Sequence, residues 1–192
     1  MAKCIAIFDF DYTLAKTNEK IWVWSPRGTR VYDNKKYIPY HPSVLAKINL
    51  PKDERIDDSS FKEFYSLDLS RTKPINITMQ LLNYHTANYR KYDTYILTAR
   101  PKDAQNDILN FLQQNKIDTD RVGYMGLKNS DPKMKIEFIK SVILNKRYNS
   151  IFIYEDNSFV IKNIHRSGIS IPIYRYHVET KNKETRVTLY EN

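Results

Sequence analysis

Four carboxylates that could share a metal ion follow two short apolar runs of the sequence. Asp9 and Asp11 come directly after the first run, and Glu155 and Asp156 come directly after another near the C-terminus. Ionised carboxylates in one cleft repel each other and therefore need a compensating positive charge. A hard divalent cation meets that need, and Mg²⁺ commonly binds one or two carboxylates together with a substrate phosphate. The four acids therefore predict a Mg²⁺ site.

Groups that can bind a phosphoryl oxygen accompany these acids. Thr13 follows the first pair, Thr98 ends a third apolar run, and lysines open a helical pattern after Pro132. A hydroxyl and backbone N–H groups can bind phosphoryl oxygens, and a lysine can neutralise a nucleophile or a phosphoryl oxygen. A carboxylate nucleophile, a metal, a lysine and a hydroxyl together are typical of phosphoryl transfer through an aspartyl-phosphate.

Three lysines could serve this site. Lys135 is the first choice, because Phe138 and Ile139 place it one turn before a buried helix face. Lys133, at the expected helix start, and Lys128 stay open as alternatives. Each group also has an ordinary structural explanation, since an Asp-x-Asp after a strand is often a turn or a helix cap and a helical lysine is usually solvated. The chemical interpretation depends on all the groups occurring in order, each after the apolar run that should deliver it.

The elements that must position these residues alternate between strand and helix in the second part of the chain. Short apolar runs predict strands, and apolar residues three or four apart predict helices. Strands are expected at 4–8, 94–97, 122–125, 150–154 and 169–176, and helices at 77–84, 103–116, 135–144 and 158–166. This order predicts a Rossmann-like, three-layer α/β fold, in which right-handed crossovers join the strands of a parallel sheet. Ligands bind at the carboxyl ends of such strands, where the candidate residues stand.

Two segments between the first strand and the first helix are expected to lie outside the sheet. A Ser-Pro-Arg-Gly turn between 21–24 and 29–32 predicts a β-hairpin. Residues 35–74 are of mixed character with several prolines, and they predict a small inserted lid with a short helix at 59–66. The length of the chain predicts that residues 1–192 form a single domain.

The chain carries a formal net charge of +9, with 31 Lys and Arg residues against 22 Asp and Glu residues. Such an excess favours anionic partners, although the cations could equally be solvated surface residues. Fifteen Tyr and eight Phe residues interleaved with cations would suit single-stranded nucleic acid, and most of these rings are expected in the core. Arg27, Arg30, Lys35 and Lys36 either contact a phosphate backbone or are solvated.

The chain contains one cysteine, Cys4, so no disulfide can form within it. This fits a reducing compartment, and Cys4 is expected to pack in the core on the first strand. The sequence shows no signal peptide and no apolar stretch of membrane length, and order is expected everywhere except in the last dozen residues. We therefore expect a soluble, cytoplasmic monomer with no membrane partner.

The motifs resemble those of the haloacid dehalogenase superfamily of phosphatases. The first motif of that family, Asp-x-Asp-x-Thr-Leu after an apolar strand, is matched in full by residues 9–14. Thr98 matches the strand-terminal Ser or Thr of the second motif, a lysine near a helix start matches the third, and Glu155-Asp156 match the acidic pair of the fourth. The resemblance runs from about residue 3 to residue 173 and leaves 35–74 unmatched. Tyr12 stands where many members have glycine.

The resemblance implies a role for each matched residue. Asp9 would be the nucleophile that is transiently phosphorylated. Asp11 would protonate the leaving alcohol and then activate water, which requires a pKa near the working pH. Thr98 and the lysine would stabilise the phosphoryl group. Asp9, the backbone carbonyl of Asp11, and Glu155 or Asp156 would bind Mg²⁺.

A closer similarity is to the RNA-repair-like "Swiss Army Knife" branch and to polynucleotide 3′-phosphatases. The shared features are Leu-Thr-Ala-Arg at 97–100 and Ile-Tyr-Glu-Asp-Asn at 153–157, and His165 matches loosely. This similarity implies that Arg100 clamps the phosphate or substrate through its bidentate fork, with Thr13 and Lys133 as further substrate contacts. It implies a phosphomonoesterase that acts on nucleotides or polynucleotide ends. The alternatives are a phosphatase of another small metabolite and a basic nucleic-acid-binding module without turnover.

Overall fold

The structure is a computed structural model that describes residues 3–18, 20–32, 34–40, 49–57, 65–127, 132–145, 148–164, 168–181 and 184–190. The strands in these ranges are β1 (Cys4–Phe8), β2 (Ala15–Lys16), β3 (Ile21–Trp24), β4 (Arg30–Tyr32), β5 (Lys35–Tyr40), β6 (Arg55–Ile56), β7 (Lys73–Pro74), β8 (Tyr92–Thr98), β9 (Val122–Gly126), β10 (Ile151–Glu155), β11 (Ile173–Lys181) and β12 (Glu184–Leu189). The α-helices are α1 (Asn76–Ala87), α2 (Gln105–Gln114), α3 (Pro132–Asn145) and α4 (Ser158–Asn163). None of the helices described is both long enough and apolar enough to span a membrane.

A six-stranded sheet in the order β12-β11-β10-β1-β8-β9 forms the centre of the molecule. The first strand pairs in parallel with β10 on one side and with β8 on the other. Strands β9 and β11 extend the sheet in parallel, and only β12 runs antiparallel within it. The predicted α/β class with a mostly parallel sheet is therefore confirmed, and it is compatible with a Rossmann-like fold. Because β1 lies between β8 and β10, the carboxyl ends of these three strands meet at one edge of the sheet.

Helices cover both faces of this sheet, which explains why its inner strands are almost continuously apolar. Successive side chains of a strand point to opposite faces, so Ile7 and Phe8 of β1 belong to two different core clusters. The cluster around Phe8 includes Leu82 of α1 and Ile108 of α2. The cluster around Ile7 includes Ile139 of α3 and Ile161 of α4. The amphipathic patterns of the sequence thus place each helix on the sheet.

The C-terminal part of the chain contains an ordered strand. The sequence makes disorder unlikely only outside the last dozen residues, and among those residues β12 pairs along its whole length with β11. Val178 of β11 is buried, and Val187 of β12 packs against the same core cluster. Charged residues alternate with these apolar ones, so the strand carries little hydrophobic signal of its own. Pairing with β11 supplies the order that its composition does not predict.

The predicted hairpin between 21–24 and 29–32 is wrong, because β3 and β4 do not pair with each other. Both pair with β5, and the small sheet has the order β4-β5-β3-β6. Gly28 lies against this central strand so closely that a Cβ atom there would stand 2.4 Å from the backbone nitrogen of Tyr37. The turn therefore crosses over β5 instead of folding β4 back onto β3.

The segment between β2 and β7 leaves the main domain and rejoins it at one place. Strands β2 and β7 pair there in antiparallel fashion, and the backbone N–H of Ile75 donates to the carbonyl of Leu14 at 2.8 Å. The small sheet is thereby anchored beside the loop that follows β1. The helix predicted at 59–66 falls largely outside the described residues, and the lid role of this segment stays a prediction.

A buried histidine lies under the aromatic core on the α1 side of the sheet. His85 is 3% exposed, and its Nε2 atom is 2.9 Å from the hydroxyl of Tyr154. Its Nδ1 atom has no hydrogen-bond partner among the described residues. Burial, and secondarily the charge of Lys91, lowers the pKa of His85 to about 4. The folded protein therefore keeps this ring neutral.

This burial predicts a loss of stability in mild acid. Between about pH 6.5 and pH 4 the unfolded chain protonates His85 and the folded protein does not, so the free energy of unfolding falls by roughly 3 kcal/mol as the pH drops through that range. His85→Gln removes this titration. Urea unfolding of both proteins at pH 7, 5.5 and 4.5 should show a difference in stability that shrinks as the pH falls. A difference that stays constant would contradict a neutral buried ring.

Candidate active site

The carboxyl ends of β1, β8 and β10 bring the predicted residues together. Phe8 and Tyr154 are register partners, and the backbone N–H of Asp9 donates to the carbonyl of Tyr154 at 2.9 Å. Asp9 therefore lies beside Glu155, the last residue of β10. Thr98 is the last residue of β8 on the other side of β1. The sheet register fixes these neighbours before any side-chain contact is considered.

A buried lysine joins the two acidic strand ends. The ammonium of Lys135 donates to Asp9 Oδ1 at 2.7 Å and to Glu155 Oε2 at 2.8 Å. Lys135 lies in the first turn of α3, and Ile139, four residues on, anchors the same helix face in the core. Burial opposes the charge of Lys135, but its two carboxylate partners outweigh burial and raise its pKa. The side chain of Lys133 is exposed, and Lys128 lies outside the described residues.

Three carboxylates form a group that could hold a metal ion. Asp9, Glu155 and Asp156 each offer an oxygen, and these oxygens lie within 4.8 Å of one another. The second oxygen of Glu155, Oε1, accepts the backbone N–H of Asn157 at 3.0 Å, which holds this side chain in place. Both members of the acidic pair are thus candidate ligands, and the sequence did not decide between them.

The positive charge of Lys135 alone does not balance these three acids. Burial, followed by the charge of Glu155, raises the pKa of Asp9 to about 7 although Lys135 acts in the opposite direction. Burial, followed by the charges of Glu155 and Asp9, raises the pKa of Asp156 well above its ordinary value. A cation with a preference for oxygen ligands would lower the cost of ionising all three. The donor set and its unbalanced charge therefore fit Mg²⁺.

Asp11 lies in a different electrostatic environment from Asp9. Its carboxylate receives Arg100 Nη2 at 2.8 Å on Oδ1 and Arg100 Nε at 3.0 Å on Oδ2, which is a bidentate ion pair. The hydroxyl of Thr17 also donates to Oδ1 at 2.8 Å. The side chain of Asp11 is therefore held away from the metal group, and the expected metal contact through its backbone carbonyl stays a prediction.

The ion pair corrects the expectation for the pKa of Asp11. Burial alone would raise this pKa, but the charge and hydrogen bonds of Arg100, with the hydroxyl of Thr17, outweigh burial and hold the pKa below its ordinary value. The family resemblance implies a pKa near the working pH instead. The arginine that causes the difference was recognised in the sequence, but its partner was not.

Arg100 contacts two other parts of the candidate site. Its side chain is fully buried. Besides holding Asp11, it donates from Nη1 to the backbone carbonyl of Ser66 at 3.1 Å. Its Nε and Nη2 donors are directed at Asp11, so Arg100 positions this carboxylate. A clamp of Arg100 on the phosphate or substrate stays a prediction.

The two threonines of the predicted site are buried and bound to the protein itself. The hydroxyl of Thr13 lies 3.4 Å from Asp9 Oδ2 and donates to it, and a substrate contact of Thr13 stays a prediction. Thr98 Oγ1 accepts the backbone N–H of Arg100 at 3.2 Å. A contact of Thr98 with a phosphoryl oxygen stays a prediction, and His165 lies outside the described residues.

Tyr12 and Thr17 complete the site and were not assigned a role from the sequence. Tyr12 has a φ angle of +61°, a conformation that costs a non-glycine residue about 1–2 kcal/mol. Its hydroxyl donates to the carbonyl of Thr17 at 2.6 Å, which holds the residue that hydrogen-bonds Asp11. In the sequence, Tyr12 was marked only by standing where many members of the resembled family have glycine. The left-handed backbone at this position explains why glycine is common there.

Comparisons with known proteins give little further information. No family model and no curated protein matches the chain. Among solved structures, the crystal structure of the Legionella pneumophila effector Ceg4 with an N-terminal TEV protease cleavage sequence is similar, with a TM-score of 0.49 and 13% identity. The match covers 92% of this chain and 86% of that one. A similarity of this degree supports no conclusion about activity.

The contacts of Asp11 predict how its pKa responds to substitution. Arg100→Gln removes the opposing charge, so burial should raise the pKa of Asp11 above its ordinary value. Thr17→Val removes one hydrogen bond and should produce a smaller rise. Carboxyl ¹³C titration by NMR measures both, with Asp11→Asn to assign the signal. An unchanged pKa in both variants would contradict the ion pair described above.

Proposed function

We propose that this protein is a Mg²⁺-dependent phosphomonoesterase that works through an aspartyl-phosphate formed on Asp9. The observation that carries the proposal is the convergence of Asp9, Lys135, Glu155 and Asp156 at the carboxyl ends of neighbouring parallel strands. The motif resemblance to haloacid dehalogenase phosphatases supports the same reaction.

Asp9 has the surroundings of a restrained carboxylate nucleophile. Lys135 holds its Oδ1 atom and Thr13 lies on its Oδ2 atom, so the carboxyl group has a fixed orientation. Bound to Asp9, Glu155 and Asp156, Mg²⁺ would supply charge neutralisation between the nucleophile and the phosphoryl oxygens. The ammonium of Lys135 adds a second positive charge on the side of Asp9 and Glu155.

The reaction takes two steps that both use Asp11. An Asp9 oxygen attacks phosphorus, the ester P–O bond breaks, and the leaving oxygen takes a proton from Asp11. Water then attacks the phosphorus of the aspartyl-phosphate, Asp11 accepts a proton from that water, and inorganic phosphate leaves as Asp9 is restored. The ion pair with Arg100 favours the carboxylate form, which suits the second step. The negative charge of an incoming phosphoryl group raises the pKa of Asp11 again, which favours protonation before the first step.

The substrate proposed is a nucleotide or a polynucleotide end. The net charge of +9 and the similarity of Leu-Thr-Ala-Arg at 97–100 to polynucleotide phosphatases support this choice. A small phosphorylated metabolite is the alternative substrate class. A nucleic-acid-binding module without turnover is the alternative of another class, and it gives no reason for the Lys135 contacts with Asp9 and Glu155. The single cysteine, Cys4, supports a reducing compartment such as the cytoplasm.

Loss of the nucleophile should abolish turnover without unfolding the protein. Asp9→Asn is expected to lower kcat for a generic aryl phosphate by at least about 10³-fold. An amide cannot form the acyl phosphate, but its oxygen still accepts from Lys135. Phosphate release gives the rate and urea unfolding gives the stability, with the exposed Asp120→Asn as a matched control. Retention of the wild-type rate in Asp9→Asn would show that the nucleophile is another group.

Removal of the metal should have two separate effects. EDTA is expected to stop hydrolysis, and Mg²⁺ is expected to restore it. Because a ligand that binds only the folded state stabilises it, Mg²⁺ should also raise the melting temperature of the wild-type protein. Asp156→Asn removes one candidate ligand and should weaken this thermal response. Activity in EDTA, or an equal response to Mg²⁺ in the variant, would contradict the proposed metal site.

A further inference from the structure

A cleft of about 480 Å³ opens between the small sheet and the segment that follows it. One wall contains Trp22 and Arg30 of the small sheet, together with Pro39. The facing wall is formed by the stretch 66–71, and Asn18 and Lys20 complete the lining. No residue assigned to the metal group or to the nucleophile lines this cleft.

The cleft adjoins the side of the active site where Asp11 lies. Ser66, in one wall, accepts a hydrogen bond through its carbonyl from Arg100, which holds Asp11. Asn18, in the lining, directly follows Thr17, whose hydroxyl donates to Asp11. In the proposed reaction Asp11 protonates the leaving oxygen, so the leaving group must occupy this side. The residues of the cleft are therefore placed to contact the leaving group.

The lining carries more positive charge than the leaving group of a simple ester requires. Lys20, Arg30 and Arg71 contribute three cations, and Asp68 contributes one carboxylate, which lies 3.2 Å from Arg71 Nε. In the proposed reaction, Lys135 and the carboxylates that would hold Mg²⁺ stabilise the phosphoryl group that reacts. A neutral sugar or alcohol as the leaving group would offer the cations of the cleft no anionic group to bind. The lining thus fits a leaving group that carries phosphate charge of its own.

The cleft contains an aromatic ring on which a base can stack. Trp22 lines the cleft, and the guanidinium group of Arg30 lies over its ring at 5.5 Å. Trp24, which lies outside the lining, projects from the same face of β3 and has the guanidinium group of Arg55 over its ring at 5.3 Å. Aromatic rings beside cationic side chains commonly bind single-stranded nucleic acid.

We infer that the cleft from Asn18 to Arg71 binds a single-stranded oligonucleotide as the leaving group of the reaction at Asp9, with a base against Trp22 and the adjacent phosphodiester near Lys20 and Arg30. This inference rests on the proposed phosphatase function and narrows its substrate to polynucleotide ends. A nucleoside monophosphate has no second phosphate for these cations. Arg27, which the sequence also offered for this purpose, is paired with Glu54 at 2.8 Å instead.

The test measures binding separately from turnover. In the Asp9→Asn protein, fluorescence anisotropy gives Kd for single-stranded oligonucleotides phosphorylated at the 3′ or 5′ end. The cleft variants are Lys20→Gln/Arg30→Gln and Trp22→Leu. The matched control is Lys181→Gln/Arg186→Gln, which removes the same charge from the exposed C-terminal hairpin.

The cleft variants should weaken binding in two distinguishable ways. The double variant should raise Kd about tenfold and lower the slope of log Kd against log salt by about 1.4, since each phosphate contact on a single strand contributes roughly 0.7. Trp22→Leu should raise Kd at least about fivefold with an unchanged slope, because stacking carries no counterion release. The control variant should leave Kd and the slope close to those of the parent protein, because it removes the same net charge at a site outside the cleft.

Three results would overturn the inference. One is equal binding by the cleft variants and the parent protein, and another is an equal loss in the control pair. The third is an acidic phosphopeptide that binds as tightly as the oligonucleotide and responds to the same variants. Hydrolysis of an aryl phosphate by the wild-type protein reports on the proposed function alone. Oligonucleotide binding in the cleft without aryl phosphate hydrolysis would therefore reject the phosphatase reaction and leave a nucleic-acid-binding cleft.

Discussion

The crowding of three carboxylates around Lys135 is the constraint on which the rest of the site depends. Parallel pairing of β1 with β10 brings Asp9 beside Glu155, and α3 delivers the ammonium that bridges them. Asp156 adds a third acid that the lysine does not balance. Like charges in one buried site raise each other's pKa unless an opposite charge compensates them. A divalent cation would supply that charge, which is the physical reason for proposing a metal site here.

Two aspartates that are two residues apart in the chain acquire opposite properties from their surroundings. Burial and Glu155 raise the pKa of Asp9, whereas Arg100 outweighs burial and lowers the pKa of Asp11. Separation of this kind allows one carboxylate to act as a nucleophile next to a cation and the other to exchange protons. Arg100 also binds Ser66 in the inserted segment. A single buried side chain thus joins the loop that carries Asp11 to the cleft proposed for the leaving group.

The sequence predicted the central sheet and the convergence of its acidic ends because both follow from local signals. Apolar runs locate β1, β8 and β10, and the carboxyl ends of parallel strands necessarily share one edge. Local signals of this kind do not predict contacts between segments that are distant in the sequence. The crossing of β4 over to β5 depends on how Gly28 meets Tyr37, and the order of β12 depends on its pairing with β11. Likewise, the sequence offered Arg100 as a site residue, but only the fold shows that its guanidinium faces Asp11.

In the proposed reaction Asp9 is the nucleophile that becomes phosphorylated, and rapid quenching can test this directly. The wild-type protein would be mixed with Mg²⁺ and a phosphate-labelled aryl phosphate, quenched in acid within one turnover, and cleaved into peptides. We predict that the label lies on the peptide containing Asp9, is released by hydroxylamine as an acyl phosphate, and is absent from Asp9→Asn. Label on a different peptide, or turnover by the wild-type protein with no labelled peptide at any time, would contradict it.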